Sequence, residues 1–160
     1  PNQRIPNFRA CARAACVIGT FPRDCDCGTL IDVRKPRVLL VDDSDTVLTM
    51  ERMLLSEEAY ELILAHNGEE AIEKALAERP DLILMDVVMP GIDGFEACRR
   101  LRQHGATRDT PIIMVTTRGE AESIEAGYAS GCTDYVTKPI DGLELLTKLR
   151  SCLDPLRDSP

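Results

Sequence analysis

Four short apolar runs along the chain each lead into residues that carry chemistry. Val38-Leu39-Leu40-Val41 runs into Asp42-Asp43 and Leu82-Ile83-Leu84-Met85 into Asp86. Ile112-Ile113-Met114-Val115 runs into Thr116-Thr117 and Tyr135-Val136-Thr137 into Lys138. Runs of this length between helix-like segments read as strands buried on both faces of a parallel sheet. Glu61 to Ala65 completes the set as a fifth, more polar strand suited to an edge. The intervening segments repeat with a period near 3.6. Ser44 is placed to cap a helix to about Ser56, with Val47, Leu48, Leu54 and Leu55 on one face and Glu51 and Arg52 facing water. Gly68 to Arg79, halted by Pro80, Phe95 to about Gln103, about Glu120 to Tyr128, and about Asp141 to Cys152 are the other expected helices.

Strict alternation of five strands and five helices predicts an α/β fold: a doubly wound, five-stranded parallel sheet of order 2-1-3-4-5. Sites in such sheets lie at the carboxyl ends of the strands, at the switch point between strands one and three. The acids, the hydroxyl and the amine therefore converge on one edge. Three carboxylates in one pocket repel each other unless a hard cation such as Mg2+ joins them, and a neighbouring lysine suits a phosphoryl oxygen. The combination points to phosphoryl chemistry on an aspartate.

Charge narrows the partners. Positions 1 to 36 hold six basic and three acidic residues, so the net charge of −8 for all 160 residues leaves −11 for positions 37 to 160. An acidic domain disfavours direct nucleic-acid binding, and Arg99-Arg100-Leu101-Arg102 reads as a solvated helix face. No apolar run reaches the roughly 18 to 20 residues of a membrane span, and Ala14 to Gly19 lacks the pattern of a secretion signal, so the expected location is the cytoplasm. Seven cysteines in that setting read as thiols. Cys98, Cys132 and Cys152 are expected to be small buried hydrophobes. Residues 1 to 35 show no sustained period and read as a disordered tail or linker. Cys11, Cys16, Cys25 and Cys27 raise a zinc site there, but the single residue between Cys25 and Cys27 is tighter than structural zinc pairs use.

From Arg37 to about Asp154 the chain resembles the receiver domain of bacterial two-component response regulators, the CheY-like, flavodoxin-like family. The resemblance rests on Asp42-Asp43, on Asp86 with Met89-Pro90-Gly91-Ile92-Asp93-Gly94, on Thr116, and on Lys138-Pro139. It implies a receiver domain at 36–154 between tails 1–35 and 155–160, with Asp86 as phosphoacceptor from a sensor histidine kinase or phosphotransfer protein. It further implies Mg2+ held by Asp42, Asp43, Asp86 and the backbone carbonyl of Val88, with Lys138 and Thr116 on the phosphoryl oxygens. Thr116 and Tyr135 would be the switch pair that reshapes the face of strands four and five and helices four and five for a downstream protein. The domain is then no enzyme in the ordinary sense, though it assists its own phosphorylation and dephosphorylation. Val88 and Arg118, at positions where polar or acidic side chains assist hydrolysis, imply slow loss of the phosphoryl group. Too few residues follow Asp154 for an output domain, which leaves partner binding, or a neighbouring domain outside this sequence, as the expected output. The Lys138–Pro139 bond is expected to be cis, since X–Pro bonds adopt cis at a cost of only about 0.5 to 1 kcal/mol.

Two other classes compete. Asp43-Ser44-Asp45-Thr46-Val47-Leu48 looks like the first motif of haloacid-dehalogenase-type phosphatases, with Asp43 as nucleophile, Asp45 as general acid and base, and Thr116 and Lys138 on the phosphate. That reading leaves Asp86 without a task and lacks an acidic pair after the lysine. A receiver-like interaction module without phosphorylation is the third reading, and such modules tend to lack the acceptor or the lysine, both of which are present.

Overall fold

In a computed structural model of the chain, the residues described are 34–117 and 128–153. Five strands, β1 (Arg37–Val41), β2 (Glu61–Ala65), β3 (Leu82–Asp86), β4 (Ile112–Thr117) and β5 (Asp134–Lys138), form one sheet of order β2-β1-β3-β4-β5. Every neighbouring pair is parallel. Helices α1 (Asp45–Leu55), α2 (Gly68–Glu78) and α3 (Gly94–Gln103) follow β1, β2 and β3; residues 128–130 form α4, and α5 is Gly142–Leu153. The expected helix from about Glu120 to Tyr128 lies almost entirely outside the described residues. So do the tail cysteines, Arg118 and positions 155 to 160.

The sheet separates two cores, as strands buried on both faces require. Leu39, Val41, Ile83, Met85, Ile112 and Met114 pack with α2 and α3 through Ala71, Ala75, Ala97, Cys98 and Leu101. Val38, Leu40, Leu82, Leu84, Ile113, Val115 and Val136 pack with α1 and α5 through Leu48, Leu55, Leu145 and Leu149. Cys98 and Cys132 are buried and Cys152 partly so. Together the cores fix the register that puts Val41, Met85 and Met114 side by side under the site.

Three local expectations are corrected. Glu51 does not face water: it is 1 % exposed, between Leu48 and Leu55 on the inward face of α1. Its spacing of three from Leu48 and four from Leu55 fixes this whatever its polarity. Arg102 leaves the solvated arginine face, because its guanidinium donates to the carbonyls of Gly131, Thr107 and Thr110 and ties α3 to the turns before β4 and β5. Ser44 stands at the N-cap of α1 but makes no side-chain capping bond. Asp42 Oδ1 instead accepts from the Ser44 amide at 2.8 Å. Helix α2 ends on Arg79 in the left-handed conformation common at helix C-termini, its amide donating to the Ala75 carbonyl.

Candidate functional site

The carboxyl ends of β1, β3 and β5 bring together Asp42, Asp86 and Lys138. Strand β5 is separated from β3 by β4, so a β5 side chain must reach about 10 Å across the sheet to meet Asp86. Lysine has the length. Lys138 Nζ lies 2.7 Å from Asp86 Oδ1 and 2.9 Å from Asp42 Oδ2, a single ammonium bridging two acids. The Lys138–Pro139 bond is cis. The acids are almost wholly enclosed, with side-chain exposures of 2 % for Asp42 and 6 % for Asp86, whereas Lys138 keeps 25 %.

Burial pushes the Asp86 carboxyl above its ordinary range and the Asp42 charge adds to this, against the pull of Lys138 and of the Val88 amide that donates to it. Burial lowers the Lys138 ammonium, but its hydrogen bonds to Asp42 and Asp86 outweigh burial and leave it raised. Two enclosed acids thus share a single ammonium.

Glu51 is the residue that sequence reasoning missed. Its carboxyl lies near enough to Asp42, Asp86 and Lys138 to interact with all three, and its Oε2 is buried with no hydrogen-bond partner. Burial first, then the Asp42 charge, pushes it to about 8. The Leu48–Glu51–Leu55 spacing is the signal that would have found it.

The remaining candidates are placed as follows. Asp43 is exposed and, among the described residues, its side chain makes no ion pair or hydrogen bond. No three acids among the described residues are already gathered as a cation-holding cluster. Thr116 is buried, its hydroxyl making only a long 3.5 Å contact with the Thr117 carbonyl. Val88 is exposed beside the pocket. Tyr135 is half-buried against the α2–α3 core. Asp45, the acid–base residue of the phosphatase reading, is exposed and pairs with His66 at 3.3 Å. Lys138 serves Asp42 and Asp86 rather than Asp43, and the phosphatase reading has no arrangement to support it.

The loop after β3 is held by a close backbone approach. A Cβ on Gly94 would collide with the Asp86 carbonyl oxygen and come within 3.0 Å of Val87 Cα. Glycine is needed there to let α3 start directly beside the acid, and the Gly94 amide donates to the Val87 carbonyl at 3.0 Å. Asp93 caps the helix by accepting from the Glu96 amide at 2.7 Å.

An acid at the end of β3, bridged by a lysine to a second acid at the end of β1, defines a phosphoacceptor signalling domain. Residues 38–150 match the response regulator receiver domain, and the chain belongs to that family. It is 39 % identical over 118 residues to the transcriptional regulatory protein AfsQ1 of Streptomyces coelicolor, covering 74 % of this chain and 51 % of that protein. Protein PilH of Pseudomonas aeruginosa is 38 % identical over 117 residues, covering 73 % of this chain and 97 % of PilH. The chain thus spans about half of AfsQ1 and nearly all of PilH. Among solved structures, the receiver domain of the Pseudomonas aeruginosa sensor histidine kinase PA1611 superposes with a TM-score of 0.70 at 31 % identity, over 74 % of this chain and 98 % of that one. That structure has a magnesium ion coordinated in the active site cleft. The domain is therefore a two-component receiver, a class whose partners are histidine kinases or phosphotransfer proteins. No helix among the described residues is long and apolar enough to cross a membrane.

Proposed function

We propose that Asp86 is the phosphoacceptor of this receiver and that Lys138 is the cation that makes its phosphorylation possible. The observation that carries the reading is the 2.7 Å contact between Lys138 Nζ and Asp86 Oδ1 inside a pocket of buried acids. Asp86 Oδ attacks the phosphorus of a phosphohistidine; the O–P bond forms as the N–P bond breaks, and the imidazole nitrogen leaves with the bonding pair and takes a proton from water. Before transfer Lys138 favours the ionised form of Asp86, against burial. Afterwards its ammonium follows the charge to a phosphoryl oxygen, and the second bond, to Asp42, holds the lysine over the strand ends while it does so. The Thr116 hydroxyl, with only a long bond to give up, donates to another phosphoryl oxygen.

The residues fit magnesium in donor chemistry and in charge. Asp42, Asp43, Asp86 and the Val88 carbonyl are hard oxygen donors, and three carboxylates with one lysine carry the charge a divalent cation cancels. These residues would hold it, Asp42 through water. When bound, magnesium supplies charge neutralisation that lets an anionic phosphoryl group approach a carboxylate.

Phosphorylation adds close to two negative charges at the strand ends, draws Thr116 inward and gives Tyr135 room to turn, reshaping the β4–α4–β5–α5 face for a downstream protein. The receiver unit runs from 36 to 154, acts in the cytoplasm, and makes no direct contact with nucleic acid, consistent with its acidic surface. The exposed aliphatic Val88 cannot orient an attacking water, so the acyl phosphate is long-lived.

The test is intact-mass measurement with borohydride trapping after treatment with acetyl phosphate, with and without Mg2+. Expected is one phosphoryl group, dependent on Mg2+, trapped at Asp86 and absent from Asp86→Asn. Labelling at Asp43 would revive the phosphatase, and no labelling at all would favour the interaction module.

A further inference from the structure

Lys148, on α5, spends its ammonium on a single neighbour and the residue before it. Nζ donates to the Tyr135 carbonyl at 2.6 Å and to Asp134 Oδ1 at 2.8 Å, and stands 4.9 Å from the centroid of the Tyr135 ring. Glu144, one turn earlier on α5, lies 3.7 Å away. The lysine side chain is only 22 % exposed. Burial lowers its ammonium, but the hydrogen bond and charge of Asp134 outweigh that, so it is a cation at neutral pH. A solvated surface pair would need none of the backbone contact. Here the carbonyl and Asp134 fix the ammonium, and the fixed ammonium attracts the electron-rich ring. The ring of Tyr128 lies 6.1 Å from that of Tyr135 and perpendicular to it at 86°.

We propose that Lys148 is a positioning residue that latches the Tyr135 ring in its half-buried orientation, so that the ring must leave the α5 cation before the aromatic switch can turn. The inference rests on the reading of Tyr135 as the switch. The latch explains how one side chain on α5 senses a rotation on β5: the ring cannot turn without losing a cation whose own position is held by backbone. Phosphorylation at Asp86 thus works against a defined local restraint rather than against general packing.

The experiment is measurement of the Tyr135 χ1 rotamer by NMR scalar couplings in the full, unphosphorylated chain, comparing wild type with Lys148→Met and Lys148→Arg. Expected is one dominant rotamer in the wild type and in Lys148→Arg, which keeps the cation. In Lys148→Met the minor rotamer should rise about two- to fivefold, the equivalent of an exposed or partly buried cation–ring contact. An unchanged rotamer in Lys148→Met, or failure of arginine to restore it, overturns the latch. Acetyl phosphate and Mg2+ added to the wild type read the switch separately: a Tyr135 rotamer that stays put while Asp86 carries the phosphoryl group overturns the switch and, with it, the role given to the latch.

Discussion

At the amino-terminal end of the sheet two arginines meet three acids close to water, and at the carboxyl-terminal end one lysine meets two of three acids that are almost wholly buried. Arg34 pairs with Asp81 at 2.6 Å, and Arg37 pairs with Glu78 at 2.6 Å and with Glu61 at 3.4 Å. Arg37 also donates to the Glu78 carbonyl, while Asp81 accepts from the Arg37 amide at 2.8 Å. These contacts tie the start of β1 to the end of α2 and the start of β2. At the other end Asp42, Glu51 and Asp86 are each buried, and Lys138 reaches only two of them. The comparison teaches how one fold separates support from chemistry. Charges near water contribute little to stability and nothing that can be switched, whereas surplus buried charge stores a demand for a cation or for a proton.

Lys138→Met is the change expected to break the contrast most. Two buried carboxylates would lose their shared cation, and the magnesium-free protein should lose about 3 kcal/mol in urea unfolding. Phosphoryl transfer from acetyl phosphate should slow about a hundredfold, the usual consequence of removing one preorganised donor. An unaltered labelling rate would remove Lys138 from the site.

Glu51→Leu should have the opposite sign. With the folded-state value at about 8 against 4.5 for the unfolded chain, the folded protein binds the more protons between those values. The contribution of Glu51 is therefore fully present below about pH 4.5, declines as pH rises, and is lost above about pH 8, a difference on the order of 3 to 5 kcal/mol. Without magnesium, the leucine variant should be the more stable by that order above pH 8, and the gap should close on acidification to pH 4.5. Parallel stability–pH profiles would show the carboxyl to be ordinary.

Arg37→Met should cost about 1 to 2 kcal/mol, through its part-buried bonds to Glu78, and leave the rate and site of phosphorylation untouched. Arg34→Ala is the smallest change. Its side chain is 60 % exposed, and its loss should move stability by no more than about 0.5 kcal/mol, detectable as weaker dependence of the unfolding midpoint on salt. A phosphorylation defect in either arginine variant would show that the two ends of the sheet are coupled.

Much of the site was legible because its residues follow apolar runs, and a run that ends on Asp86 or Lys138 announces both the strand and the edge on which the side chain emerges. The cis bond before Pro139 was legible for a similar reason, since the dipeptide sits at a strand end. Glu51 was misread because residue type was allowed to outweigh position: on α1 the spacing from Leu48 and Leu55 points inward, and the carboxylate drew the assignment outward. Arg102 was misread for want of its partners, carbonyls from turns around Thr107, Thr110 and Gly131 that no local pattern brings together.

The order of apolar runs and helical periods in the chain by itself determined a parallel, doubly wound sheet and an acidic site at one end of it, because period and burial are local properties that the chain carries along its length. Tertiary structure decided which acids share the lysine, that a third carboxyl is shut in near them, and that an α5 lysine stands 4.9 Å from the centre of the Tyr135 ring. Those contacts join β5 to β1 and β3, α1 to the pocket and α5 to β5, and distances of that kind exist only once the strands have found their order.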